Sequence, residues 1–154
     1  KLILMRHTEA NWGFGLKDHE RNLSNKGQRD ARKLASWLTE RQHQPTHALV
    51  SDAKRTQQTF ASLNFKCEAV ILPELYLAPP ENLVLATLNI DTECLLVLAH
   101  NPGVAELAIK IAAPEPMHPQ FLNYPPGATL VLGYSHGDIS AQAIDFIIPD
   151  DLPA

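Results

Sequence analysis

Cysteine is scarce in this chain, a surplus of basic residues is missing, and no long apolar run is present. The two cysteines, Cys67 and Cys94, lie in apolar settings with no metal-type or redox-type pairing. The expected compartment is therefore the reducing cytoplasm. Thirteen Lys and Arg stand against seventeen Asp and Glu, a formal net charge of -4. That balance speaks against nucleic acid or an anionic membrane as the main partner, since both call for basic surfaces. No apolar run approaches the roughly 18 residues of a membrane span. The first strand-like run, 2–5, is too short for a signal-peptide core. Repeats and linkers are absent as well, so the 154 residues read as a single domain, 1–154. What is present suffices for a core: 45% of the residues are apolar and only 19% charged, which excludes a disordered tail.

Short apolar runs alternate with amphipathic stretches along the chain. Runs 2–5 (LILM), 48–50, 69–72 and 95–99 (LLVLA) read as strands, followed by 128–133 and 140–148 around a turn at 135–138. Ala31, Leu34, Ala35 and Leu38 recur at i, i+3, i+4 and i+7, which predicts a helix over 24–41 with one apolar face. Helices are also predicted over 54–63, 80–88 and 102–111, with Pro80 and Pro102 in first turns, where a missing N–H costs nothing. Alternation of this kind implies crossover connections. The fold class is α/β, a three-layer α/β/α arrangement with a mostly parallel central sheet. The last two strands have no helix between them and predict one antiparallel pair near the C-terminus. Five prolines fall within 114–126, so that segment is expected to be an ordered loop.

Ligands of open α/β sheets bind outside the carboxyl ends of the strands. After the first strand comes Arg6-His7-Thr8-Glu9. After the second comes Ser51-Asp52-Ala53-Lys54-Arg55, with Arg55 in the first turn of the next helix. After the fourth comes His100-Asn101-Pro102-Gly103, where Asn101 is expected to cap the next helix. Two arginines and two histidines therefore converge on one rim beside helix N-termini. Phosphate is the anion best matched by Arg forks and free helix N–H groups together. An imidazole among fixed positive charges is held neutral, and a neutral imidazole beside phosphate is a nucleophile. A lone histidine or arginine at a strand end is ordinarily a solvated residue; the shared rim reverses that reading for these four.

Arg6-His7, Arg55 and His100 resemble the four-residue core of the histidine phosphatase superfamily, whose fold is phosphoglycerate-mutase-like. The segments Leu2-Ile3-Leu4-Met5-Arg6-His7, Asp18-His19-Glu20-Arg21-Asn22-Leu23-Ser24, Ser51-Asp52-Ala53-Lys54-Arg55-Thr56 and Leu98-Ala99-His100-Asn101-Pro102-Gly103 are similar to its small SixA-type branch, the phosphohistidine phosphatases. The likeness runs from residue 2 to about Leu152. It implies that His7 attacks phosphorus and becomes phosphohistidine, that Arg6 and Arg55 clamp the non-bridging oxygens, and that His100 completes the pocket as a donor. It also implies Arg21, Ser51 and Asn101 as substrate-binding residues, with neither cofactor nor metal required. The implied substrate is a phosphohistidine-bearing signalling protein, with phosphate or another oxyanion filling the pocket.

Two departures from the family pattern stand out. Thr8 replaces the usual Gly or Ala after the histidine and is expected to alter the pocket wall. Asn101 stands where some larger members have an acid, and the other usual acid position looks closest to Leu77. Glu74 and Glu9 are the remaining candidates for a proton donor. An alkoxide leaving group needs a proton, whereas imidazole, with a reference pKa of about 6.5, leaves without enzyme help. The missing acid thus points to phosphohistidine. A general small-molecule phosphomonoesterase and a non-catalytic phosphate-binding module are the alternatives. Arg21 either lines the pocket or ties down its loop through Asp18. Trp12 and Phe14 either cover the phosphate, contact a partner or pack locally. His19, His43, His47, His118 and His136 read as surface or turn residues, and the cysteines as core residues without chemistry.

Overall fold

Alternate residues of the first strand point into opposite cores, and the rest of the architecture follows from that. In the computed structural model, which describes residues 1–133 and 141–154, β1 spans Leu2–Arg6. Leu2 and Leu4 join one apolar cluster, while Ile3 and Met5 join another on the far face. A strand buried on both faces has no need of polar alternation, which is why LILM reads as a continuous apolar run. The other elements are α1 (Asn25–Glu40), β2 (His47–Ser51), α2 (Lys54–Leu63), β3 (Glu68–Leu72), α3 (Pro80–Thr87), β4 (Leu95–Ala99), α4 (Gly103–Ile111), β5 (Ala112–Ala113), β6 (Thr129–Gly133) and β7 (Ala141–Ile147).

The strands form a single sheet in the order β3-β2-β4-β1-β6-β7-β5. Pairings among β3, β2, β4 and β1 are parallel, as is β7 with β5. β6 runs against both β1 and β7, so the expected antiparallel pair is present and its first strand is antiparallel on its other edge as well. One core holds Leu34, Leu38, Leu63 and Met5 under α1 and α2; the other holds Leu4, Leu83, Val104 and Leu107 under α3 and α4. The result is the three-layer α/β/α fold. No helix among the described residues is long and apolar enough to cross a membrane.

Helix boundaries follow local chemistry. The Ser24 hydroxyl accepts from the Gly27 N–H at 3.0 Å and caps α1, whose residues Ala31, Leu34 and Leu38 are buried, with Ala35 half-buried. α2 ends on Asn64 in the left-handed conformation (φ 56°). α4 begins at Gly103 rather than Pro102, and the Asn101 amide donates to the Tyr124 carbonyl and caps nothing. The two-residue β5 is too short to carry a strand pattern and falls between the helix expected to end at 111 and the loop expected over 114–126. Within the remaining proline-rich segment, Phe121 and Tyr124 are wholly buried. The turn expected at 135–138, His136 and Ser140 lie outside the described residues. Cys94 is buried and Cys67 half-buried, and burial raises both thiol pKa values. His43 is not a surface residue: it is buried, with Nε2 2.8 Å from the Asp145 carboxylate.

Gly103 is a point of close approach. A Cβ there would overlap the carbonyl oxygen of Ala78, backbone that cannot swing aside as a side chain can. The loop leading into α3 is thereby pressed against the start of α4. Gly103→Ala is expected to destabilise the fold by about 1–3 kcal/mol, the usual cost of overpacking, measured as a lower urea midpoint; an unchanged midpoint would show that the loop yields freely.

Candidate active site

The carboxyl ends of β1, β2 and β4 lie side by side in the sheet, and they deliver the four predicted residues to one place. Arg6 ends β1, His7 and His100 follow β1 and β4, and Arg55 occupies the first turn of α2. The His7 and His100 ring centroids are 5.3 Å apart. Arg55 lies between them: its Nε is 3.3 Å from His7 Nε2, and its Nη2 is 3.3 Å from His100 Nδ1. A cleft of about 580 Å³ opens above, lined by Arg6, His7, Glu9, Ala10, Asn11, Trp12, Arg21, Arg55, Leu77, His100, Asn101 and Pro126.

Hydrogen-bond chemistry settles the histidine tautomers. His7 Nδ1 lies 2.7 Å from the carbonyl oxygen of Thr8, which only accepts, so Nδ1 carries the proton. Its Nε2 therefore bears the lone pair, which accepts from the Arg55 Nε–H at 3.3 Å. By the same logic His100 Nδ1 is unprotonated toward Arg55, and Nε2–H donates to the Ser51 hydroxyl at 2.8 Å. Burial above all pulls the His7 pKa down to about 4; the Thr8 hydrogen bond opposes this, and the charges of Arg55, Arg6 and Arg21 add to it. Burial likewise lowers His100 to about 3, with His7 and Arg55 contributing. Both rings are neutral at physiological pH.

Arg55 is held by Asp18, whose place in the sequence suggests only Arg21 as a partner. Asp18 accepts from Arg55 Nη1 through its carbonyl at 2.7 Å and from Nη2 through its carboxylate at 3.0 Å. The Tyr76 hydroxyl donates to the same carboxylate oxygen at 2.5 Å, and Arg21 Nη1 binds the other at 3.1 Å. Tyr76, then Arg55 and Arg21, hold the Asp18 carboxyl well below the ordinary range, while the pKa of the Tyr76 phenol is raised by burial and by Asp18. Arg21 thus does both things weighed for it: it lines the cleft and ties down the loop. A second support comes from the proline-rich segment. The Tyr124 carbonyl accepts from Arg6 Nη1 at 3.1 Å and from Asn101 Nδ2 at 2.9 Å, and its phenol donates to the Leu4 carbonyl at 2.7 Å. The Gly127 N–H donates to the carbonyls of Arg6 and His7, which pins the strand end.

Other expected residues are placed differently. Ser51 is fully buried behind His100, where it orients that ring and does not line the cleft. Thr8 is turned away as well, its hydroxyl 3.2 Å from that of Thr59 on α2, so it does not shape the pocket wall. Glu74 is exposed on the 3-10 turn Pro73–Leu75 and is absent from the cleft lining. Glu9 reaches the lining, but its carboxylate accepts from the Ser24 hydroxyl at 2.8 Å. Leu77 takes its place in the wall. Trp12 and Phe14 are 81% and 98% exposed, so local packing does not account for them. Among the described residues no three His, Cys, Asp or Glu side chains gather into a metal-binding group. Arg6, Arg21 and Arg55 give the cleft the positive charge that an anion would need, above a neutral His7 imidazole whose Nε2 carries no proton.

Comparison with known proteins bears on the family and the fold. The sequence model of the histidine phosphatase superfamily (branch 1) matches residues 2–76. A protein of Mycobacterium tuberculosis is 31% identical over 111 residues, which cover 71% of this chain and 70% of its own. A chloroplastic protein of Arabidopsis thaliana is 28% identical over 124 residues, and the match spans only 57% of that relative's length. Among solved structures, SixA from Agrobacterium tumefaciens superposes with a TM-score of 0.78 at 26% identity, covering 96% of this chain and 97% of that one. The protein histidine phosphatase SixA complexed with tungstate gives 0.80 at 24% identity, covering 97% of each.

Because the folded-state values of His7 and His100 lie below the 6.5 of free imidazole, the unfolded chain binds more protons between those values. The stability these rings contribute is fully present above about pH 6.5 and is lost as pH falls toward 4 for His7 and toward 3 for His100. Titration followed by NMR of the imidazole nitrogens is expected to show both midpoints well below 6.5, with His7 near 4. A midpoint above 6 for either ring would contradict the neutral assignment.

Proposed function

The chain belongs to the histidine phosphatase superfamily, and from that membership we propose that it is a phosphohistidine phosphatase, hydrolysing a phosphorylated histidine on a phosphotransfer protein through a covalent intermediate at His7. The observation that carries this reading is the His7 tautomer: Nδ1–H is fixed on the Thr8 carbonyl, and the Nε2 lone pair is turned toward the arginines that would hold a phosphoryl group.

In the first step the Nε2 lone pair attacks phosphorus. A bond forms from Nε2 to phosphorus as the bond from phosphorus to the substrate's ring nitrogen breaks. With a proton on the substrate's other ring nitrogen, the leaving group departs as neutral imidazole. His7, which keeps Nδ1–H, becomes a cationic phosphoimidazolium. Arg6 and Arg55 hold the non-bridging oxygens, and His100 adds a donor once a bound dianion has raised its affinity for a second proton. Water then attacks phosphorus, the Nε2–phosphorus bond breaks, and dihydrogen phosphate leaves with both water hydrogens. Neutral His7 is restored. Each step exchanges one imidazole or water for another group with no net proton drawn from the protein, so no acid residue is needed. An alkyl ester would need one, and the cleft wall offers Leu77 instead.

His7→Ala is expected to lower turnover of a histidine-phosphorylated protein by about a thousandfold or more, and rapid acid-free quenching of the wild type should trap phosphate on His7. Full activity in the variant would remove the nucleophile assignment. Efficient hydrolysis of sugar phosphates with none of phosphohistidine would replace the reading with a general phosphomonoesterase. Tungstate binding with no turnover of either substrate would leave a phosphate-binding module.

Leu77→Glu tests the missing acid directly. It is expected to raise kcat/KM for an alkyl phosphate such as glycerol 3-phosphate by about tenfold or more. No gain would show that a missing proton donor is not what disfavours esters.

A further inference from the structure

The loop beside the cleft carries apolar surface that the chemistry of His7 does not use. Trp12, Phe14 and Leu16 are 81%, 98% and 47% exposed, and Leu77 in the cleft wall is 50% exposed. Single exposed apolar residues are ordinary, but Trp12 and Leu77 in the lining of a charged cleft, with Phe14 and Leu16 following Trp12 on the same loop, mark an interaction site. The loop is also built to keep them there. The Trp12 ring lies 5.3 Å from the guanidinium carbon of Arg21, which is itself fixed by Asp18 and the Asn11 carbonyl. Gly13 and Gly15, at φ 63° and 80°, flank Phe14, and the Leu16 N–H donates to the Gly13 carbonyl at 2.8 Å. That hydrogen-bonded turn, reached at φ values glycine adopts readily, holds the Phe14 side chain out in solvent.

We propose that the rim formed by Trp12, Phe14 and Leu16 is the docking surface for a folded protein substrate whose phosphohistidine is set in an apolar patch. The proposal rests on the phosphohistidine reading above. Charge distribution selects this occupant. Arg6, Arg21 and Arg55 line the cleft, so the dianionic phosphoryl group belongs inside, and the surface surrounding it on the carrier meets the apolar rim. A small phosphorylated molecule confined to the cleft would not reach Phe14, which does not line it. Exposed aromatic anchors around a charged centre are the composition of protein recognition rather than of metabolite binding.

Phe14→Ser tests this without risk to the fold, since the side chain is almost fully solvated. Steady-state kinetics are compared on two substrates, phosphoimidazole and a set of histidine-phosphorylated phosphotransfer domains. The variant is expected to raise KM for the phosphorylated domains about tenfold or more, as loss of an aromatic anchor does, with kcat/KM for phosphoimidazole unchanged. Phe14→Trp should restore the wild-type KM. An unchanged KM for the domains in Phe14→Ser overturns the docking surface while leaving the phosphatase reading intact. An equal loss on phosphoimidazole also overturns it, because Phe14 would then act through the cleft. Loss of self-association in the variant without a change in KM would assign the rim to a second copy of the chain instead. Wild-type inactivity on every phosphorylated domain would remove the phosphatase reading and the docking surface with it.

Discussion

The guanidinium of Arg55 is almost wholly buried, and a buried cation is tolerable only if it is paired and fully hydrogen-bonded. Asp18 supplies the pairing, through both its carboxylate and its carbonyl oxygen. The remaining Arg55 N–H groups must find acceptors, and the two within reach are ring nitrogens of His7 and His100. A guanidinium only donates, so each ring must present a lone pair to it. One buried charge thereby dictates two tautomers and adds to the burial that keeps both rings neutral. The same arrangement leaves Asp18, Tyr76 and Arg21 interlocked on the other side, so the loop around the 3-10 turn Asp18–Glu20 is held by the cation it serves.

The other half of the site depends on the end of β1. Arg6 and His7 are adjacent in sequence but have to be held with different partners, and the segment before β6 does this. Tyr124 is a buried strut whose phenol and carbonyl contact Leu4 and Arg6, while Gly127 ties the backbone beyond. A loop rich in proline loses little further entropy on ordering, which suits a segment whose role is to brace a strand end. The antiparallel insertion of β6 beside β1 is what brings that segment to the carboxyl ends of the parallel strands.

Most of the secondary structure was legible because it is local. Leu95–Ala99 and Lys54–Leu63 lie where apolar runs and helical spacing put them. The four central residues were legible for a related reason: in a parallel sheet, whatever follows each strand meets at one edge. What could not be read were contacts that join distant parts of the chain. Tyr124 and Arg6 are 118 residues apart, and nothing near Tyr124 hints at a partner. Asp18 was visible within its motif, yet its bond to Arg55 depends on a loop crossing that no periodicity encodes. Ser51 and Thr8 failed in the opposite way. Their positions beside the strand ends were correct, but side-chain direction alternates along a strand, and both hydroxyls turn inward to support a neighbour.

The apolar character of Leu77 bears on why such a site can dispense with an acid. On the phosphohistidine reading proposed above, donor and acceptor are both imidazoles of similar proton affinity, so neither end of the reaction develops a strongly basic leaving group. Stabilising the phosphoryl oxygens is then the main task left for the protein, and Arg6 and Arg55 with neutral histidines are suited to it. An ionised carboxylate at this position would add to the charge of Glu9, which the lining already holds, and weaken binding of an incoming dianion; only its protonated form would serve an ester. Leu77, held at φ 48° where non-glycine residues are uncommon, presents a side chain without charge at that place. The backbone strain is modest, and the repulsion avoided acts on every substrate that brings a doubly charged phosphoryl group into the cleft.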